Sequence, residues 1–446
     1  MAKKTPDRRE YRRKRRIRNQ ILCWLLVVLM LALIVFGAYE GIKFMGKQKA
    51  SKPAQEPSVS EDATESAPEE NGETIKTPES MEELTEEIEP EVEEEEEQED
   101  PRVLALLEGM SLEQKIDGLF LVSPETITGV EAATMAGDGT KDALMKYAVG
   151  GILYASKNVS AASQFEEMVA TTRNMYHEIY NRDLLTLVDE EGAQSTIAAV
   201  TEDEQQSPES ELGVSGSRDN VKDAYAKIGE TVSAYHLEGD MAPVAAVKTV
   251  ENAYLGNRIF SDDADMAASM VSAAVEGLSG KGMLSCLNAF PGEGGAENDP
   301  ERNAISTDKD MEALKECELK PFIEGIAAGA DMVMVSNIVA SNAGSGDASC
   351  SLSEEMVTGV LRRELGFEGV IVTAPLDQAA CTEKDHPGNA ALKAFLAGAD
   401  LICIRNQTGF LEARETLLNA VNDGTISEEL VDDSLKRIYR MELRIK

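Results

Sequence analysis

Histidine is almost missing from this sequence, with three residues in 446. His177, His236 and His386 fall in a helical pattern, ahead of an apolar run and ahead of a proline, so neither a histidine metal site nor a catalytic triad is encoded. Cysteine is also scarce. Cys23 sits in an apolar run near the start, and Cys286, Cys317, Cys350, Cys381 and Cys403 form no CxxC and no Cys/His metal spacing. Five thiols cannot all pair, so they are expected mainly as small buried hydrophobes, and no cofactor is expected. The third shortage is positive charge, 43 Lys and Arg against 81 Asp and Glu for a net charge of −38. With residues 1–100 set aside, 57 acidic and 28 basic residues remain, near −29. That balance excludes nucleic acid and an anionic membrane surface as partners of the main body, because both need clustered positive charge.

The basic residues that exist are concentrated at the start. Ten Lys or Arg lie within residues 1–20, followed by "ILCWLLVVLMLALIVFGAY", 19 residues without a charge from Ile21 to Tyr39. At about 1.5 Å per residue such a run matches the roughly 30 Å core of a bilayer. It exceeds the apolar region of a signal peptide, and "AYEGIKFMGKQKA" offers no Ala-x-Ala cleavage site. Residues 1–20 therefore read as a basic cytoplasmic tail, 21–39 as a single transmembrane helix and everything beyond as extracytoplasmic. Residues 40–100 culminate in "EEIEPEVEEEEEQED", too charged and too poor in apolar side chains to fold, and read as a disordered acidic linker that supplies reach.

Residues 101–446 alternate apolar runs with helix-like stretches. "GLFLV", "VGGILY", "LLTLVD", "MAPVAAV", "GMLSCLNAF", "ADMVMVSN", "GVIVTA" and "ADLICI" are strand candidates, and "SQFEEMVATTRNMYHEIY" and "DMAASMVSAAVEGLS" show helical spacing. About eight strand-plus-helix units indicate an α/β fold, a TIM-like (β/α)8 barrel. Residues 198–220 read as a loop insertion. In such a barrel function sits where strands end, which singles out Asp189, Arg258, the 288–302 loop, Asn337 and Ala374.

Several segments resemble a known family. "VDEEGAQS" is similar to V-D-x-E-G-G, "DMAPVAAV" to D-F-A-P-V-x-D-V, "LGNRIF" to I-G-x-R-x-F, and "NAFPGEGG" to K-H-F-P-G-H-G. "LRRELGFEGVIVTAPLDQAA" is similar to L-R-x-E-L-G-F-x-G-V-I-x-T-D-D-L-x-M. Over 104–405 the chain thus resembles the N-terminal barrel domain of family 3 glycoside hydrolases, closest to the β-N-acetylhexosaminidases.

The resemblance implies retaining hydrolysis, with an Asp nucleophile after the seventh strand and a His acid/base on the Asp-Ser-His element. Here the nucleophile position is Ala374 and the acid/base position is Glu301. The family's Lys-His pair is Asn288-Ala289, and its two Arg are Gln194 and Ile197. Asp189, Arg258 and Asp299 remain as implied substrate-binding residues. Asp189 also reads as a carboxylate closing a strand end, and Arg258 as a partner of Asp189 or Asp240. Glu293 and Glu301 read as solvated loop charges.

Three functions follow as expectations. The first is a membrane-tethered barrel that has lost hydrolysis and binds carbohydrate, a peptidoglycan fragment or a protein partner. The second is an active glycosidase with Asp377 as relocated nucleophile and Glu301 as acid. The third is a protein-interaction barrel with a closed pocket.

Overall fold

The computed structural model describes residues 99–445. The expected tail, membrane span and nearly all of the acidic linker lie outside the described residues; among those described, no helix is long and apolar enough to cross a membrane. The last two residues of the expected linker belong to the folded body. Asp100 caps the helix Pro101–Leu107 and Glu99 pairs with Arg440 near the chain's end.

Eight parallel strands run in chain order: β1 (Phe120–Val122), β2 (Gly151–Leu153), β3 (Leu185–Val188), β4 (Gly239–Asp240), β5 (Leu284–Phe290), β6 (Met332–Val335), β7 (Val370–Thr373) and β8 (Ile402–Ile404). From β1 to β7 each strand pairs with the next in sequence, and β8 pairs with β1. A Val372–Leu401 bridge sets β7 against β8 and closes the ring, so the expected (β/α)8 barrel is present. The strands are buried from both sides, which is why "LTLV", "MVMV" and "VIVT" are continuous apolar text rather than alternating.

β4 differs from expectation. The paired residues are Gly239 and Asp240, just ahead of "MAPVAAV", whose Pro243 has no N–H to give a ladder; only Val244 rejoins, bridging to Asn288. β5 is the longest strand, and its last residues carry Asn288 and Ala289 to the barrel mouth.

The helices begin where the sequence supplies caps. Ser111 and Gln114 form a capping box, Asp263 accepts the N–H groups of Asp265 and Met266, and Asn406 accepts that of Gly409. The helix Ala264–Ser279 buries Ala267, Ala268, Ala273 and Ala274, small side chains that let the flanking helices Arg218–Ala234 and Lys320–Ala327 pack on it. The expected loop 198–220 is not all loop, since Glu209–Ser215 is helical and Glu209 is fully buried.

Cys286, Cys350, Cys381 and Cys403 are buried and Cys317 partly so, all as free thiols. Burial pushes the Cys350, Cys381 and Cys403 thiols up to about 12, which keeps them inert.

Candidate functional site

The C-terminal ends of the strands surround an open cleft of about 710 Å³. Its wall includes Asp189 after β3, Met241 after β4, Asn288 and Ala289 of β5, Ala374 after β7 and Arg405 after β8. The expectation of a closed pocket is therefore corrected: the barrel core below is filled by side chains, but its mouth is not.

On the β3–β4 side the segment "VDEEGAQS" places three consecutive carboxylates in three different roles. Glu190 accepts from the N–H groups of Thr196 at 2.7 Å, Ile197 at 2.7 Å and Ala198 at 3.2 Å, and from the Ser195 hydroxyl at 2.6 Å. Glu191, with no exposed side chain, receives the Arg258 fork at 2.7 and 2.8 Å. Asp189 faces the cleft. Its Oδ2 accepts from the Gln194 amide at 3.0 Å, whereas Oδ1 is buried without a hydrogen-bond donor, 3.7 Å from Arg258.

Arg258 was expected to pair with Asp189 or Asp240. The structure shows the Asp189 ion pair, at 3.7 Å, but gives the bidentate fork to Glu191, and Asp240 is not its partner. Asp240 turns its Oδ1 to the Glu190 N–H at 2.9 Å and leaves Oδ2 buried without a partner. Burial, then the charges of Asp189, Glu190 and Glu191, pushes Asp240 well above the usual carboxylate range. Burial and the charges of Glu191 and Glu190 likewise push Asp189 up, against the pull of Arg258, to about 7.

Glu209, from the insertion, reaches under this corner. It accepts from the N–H groups of Gly192 at 2.9 Å and Ala193 at 3.0 Å and from the Tyr225 hydroxyl at 3.1 Å. Burial first, then Glu191, raises its carboxyl to about 8. Gly192 is required here: a Cβ would stand 2.0 Å from the Ser207 carbonyl oxygen of the returning insertion.

The opposite side is built differently. Ala374, the residue after β7, presents a methyl group to the cleft. Asp377 is held by Arg405 Nε at 3.4 Å and Asn406 Nδ2 at 3.1 Å. Glu301 is not a free solvated charge, as expected, but receives both terminal nitrogens of Arg405 at 2.8 Å each and the Gln378 amide at 2.8 Å. Burial raises its carboxyl, but Arg405 and Gln378 outweigh that and hold it below the ordinary range. Gln378 is itself held by Asn337 at 3.0 Å, so the strand-end Asn337 supports the wall rather than lining it. Asp299 accepts the Glu301 N–H at 2.9 Å and stays partly exposed.

Glu293 also departs from the reading as a solvated charge. It is buried, hydrogen-bonded by Tyr254 and Ser336, and raised by its burial against those two hydroxyls. The surrounding turn needs glycine for space, since a Cβ on Gly294 would lie 1.9 Å from the Val247 carbonyl oxygen. Among the described residues no three His, Cys, Asp or Glu are placed to hold a metal ion.

The structure thus gathers Asp189, Arg258, Asp299, Glu301 and Asp377 around one cleft. Sequence reasoning missed Glu191, Glu209, Gln378 and Arg405. Arg405 had a signal, being the first residue past the eighth apolar run. Glu209 had none, as one acidic residue in an acidic insertion.

Comparison with known proteins gives concordant results. The model of the "Glycosyl hydrolase family 3 N terminal domain" matches residues 111–441. Beta-hexosaminidase A of Pseudoalteromonas piscicida is 24% identical over 327 residues, 68% of this chain and 54% of that protein. This chain therefore spans about half the length of that relative. A beta-hexosaminidase of Xylella fastidiosa is 29% identical over 290 residues, 62% of this chain and 82% of its own. Among solved structures, a family 3 beta-N-acetylglucosaminidase from a Paenibacillus strain superposes with TM-score 0.71 at 28% identity, covering 75% of this chain and 63% of that one. A beta-N-acetylhexosaminidase structure from Beutenbergia cavernae, at 24% identity and TM-score 0.65, shares the fold over 74% of this chain and 98% of its own. The family model accounts for most of the body, with the closed barrel and its cleft in the expected place, and the chain belongs to glycosyl hydrolase family 3.

Proposed function

We propose that the protein is a β-N-acetylhexosaminidase-like barrel that has lost hydrolysis and holds a saccharide, such as a cell-wall glycan fragment, in its cleft. The observation that carries this reading is Ala374. A retaining mechanism needs a carboxylate within about 3.5 Å of the anomeric carbon, and a methyl group cannot attack it. On the same reading Asp189, Arg258 and Asp299 contribute to sugar binding, and the N-terminal segment 1–100 tethers the barrel outside a membrane. The uncharged run Ile21–Tyr39 and its basic flank support that tether.

The names of the relatives favour a second reading, an active glycosidase, for which Asp377 and Glu301 are the candidate carboxylates of this chain. Two features weigh against it. The Arg405 guanidinium bonds both carboxylates, filling the space a retaining pair keeps for the sugar. Glu301 is also lowered, whereas a proton donor needs to be raised.

Titration of the full-length chain in mild detergent with N-acetylglucosamine and a muropeptide tests the binding role. Saturable heat or a shift of the unfolding midpoint is expected, weakened by Asp189→Ala. Absence of any response to either ligand and to glucosamine would remove the carbohydrate role.

A further inference from the structure

The charges lining the cleft are unevenly matched. Five carboxylates, Asp189, Glu293, Asp299, Glu301 and Asp377, share the wall with three cations, Lys157, Arg258 and Arg405. Each of the three cations is already engaged: Lys157 with Glu125 at 3.2 Å, Arg258 with Glu191 at 2.7 Å, and Arg405 with Glu301 at 2.8 Å. An anionic ligand entering the cleft would therefore meet cations whose charge is already matched by a carboxylate.

The carboxylates have room for a cation. Arg258 stands 3.7 Å from Asp189 and Arg302 stands 4.0 Å from Asp299, both beyond hydrogen-bond reach. Asp189 Oδ1 is buried without a hydrogen-bond donor, with only the Arg258 ion pair at 3.7 Å beside it. Burial first, then the neighbouring Glu191 and Glu190 charges, raises its carboxyl despite the pull of Arg258, so an added positive charge there would stabilise its ionised form. Positions that the family resemblance would fill with Lys and two Arg are Asn288, Gln194 and Ile197, all uncharged. The body adds a long-range field of the same sign, near −29 over residues 101–446.

We propose that the cleft selects saccharides carrying free amino groups, that is glucosamine-type sugars, over their N-acetylated counterparts and over acidic sugars. This rests on the reading that the cleft binds a saccharide. An ammonium group brings three N–H donors and one positive charge to a wall that holds surplus acceptors, whereas an acetamide brings one N–H and no charge. A saccharide is preferred over a cationic peptide because the cleft, of about 710 Å³, lies at the strand ends of a family 3 barrel, where the proposed function places a saccharide.

The test is a set of titrations of the full-length chain at low ionic strength, with glucosamine trimer, N-acetylglucosamine trimer, a uronic acid trimer and oligolysine. The glucosamine trimer is expected to bind about tenfold more tightly than the N-acetylated trimer, an advantage that shrinks as salt is added, with the uronate weakest. Asp189→Asn should cut the preference to roughly threefold, and Asp299→Asn, on an exposed loop, gives an independent reduction that does not depend on the fold tolerating the first change. Sedimentation with an insoluble glycan before and after chemical de-N-acetylation separates a wall-borne ligand from a soluble one: retention only after de-N-acetylation supports the first, and binding of the soluble trimer alone supports the second. Equal affinity for the two trimers would overturn the selectivity while leaving saccharide binding intact. Failure of both trimers would overturn both. Oligolysine binding as tightly as the glucosamine trimer would also overturn the proposal, since body charge alone would then explain the attraction.

Discussion

The two sides of the barrel mouth treat their carboxylates in opposite ways. On the β3–β4 side, Glu190, Glu191 and Glu209 are buried and bonded to backbone amides or to a fixed arginine. On the β7–β8 side, Glu301 and Asp377 share a part-exposed arginine, and the residue facing the cleft at the end of β7 is an alanine. The difference separates two jobs that a family motif combines. Carboxylates that hold the chain together are present, and the position where the family resemblance implies a nucleophile is Ala374.

If this contrast is right, damage to the first side should show as lost stability and damage to the second should hardly register. The largest effect is expected from Arg258→Met. It leaves the Glu191 carboxylate buried without its partner, at a cost of about 3–5 kcal/mol in urea unfolding. Glu190→Ala strands the Ser195 hydroxyl and three backbone N–H groups, and should cost about 2–3 kcal/mol in the same measurement.

A pH series sharpens the comparison further. Glu209 and Asp189 are raised in the folded state, to about 8 and about 7, so the folded chain binds protons that the unfolded chain has released. Their contribution is fully present below the ordinary carboxylate range and is lost progressively from there up to about pH 7 for Asp189 and about pH 8 for Glu209. Stability should fall across that window, by up to roughly 1.4 kcal/mol per pH unit for each group, and Glu209→Gln should flatten the slope. The smallest effect belongs to the other side. Arg405→Ala should cost less than about 1 kcal/mol, since the pair is part exposed, while speeding hydrogen exchange in residues 299–303.

The sequence made the barrel legible because parallel strands buried on both faces are continuous apolar runs, and all eight were visible. β4 was displaced by a few residues because Pro243 removes an N–H that apolar character does not reveal. The cleft residues were legible where a motif fixed their place, as for Asp189, Arg258 and Ala374. Pairings were not. Arg258 had Asp189 and Asp240 as expected partners, and the folded chain adds the unforeseen Glu191, which takes the bidentate fork while Asp189 keeps a 3.7 Å ion pair. Glu293 resembled a surface charge in "PGEGG", yet Tyr254 and Ser336, distant in sequence, supply the donors that allow its burial.

The claim that chemistry has left this cleft is tested most directly by turnover of an aryl β-N-acetylglucosaminide by the purified full-length chain. The expected result is release of the aryl group no faster than with a preparation of the Asp377→Asn, Glu301→Gln double variant. Turnover by the native chain that disappears in either single variant would contradict the account and establish relocated catalytic carboxylates.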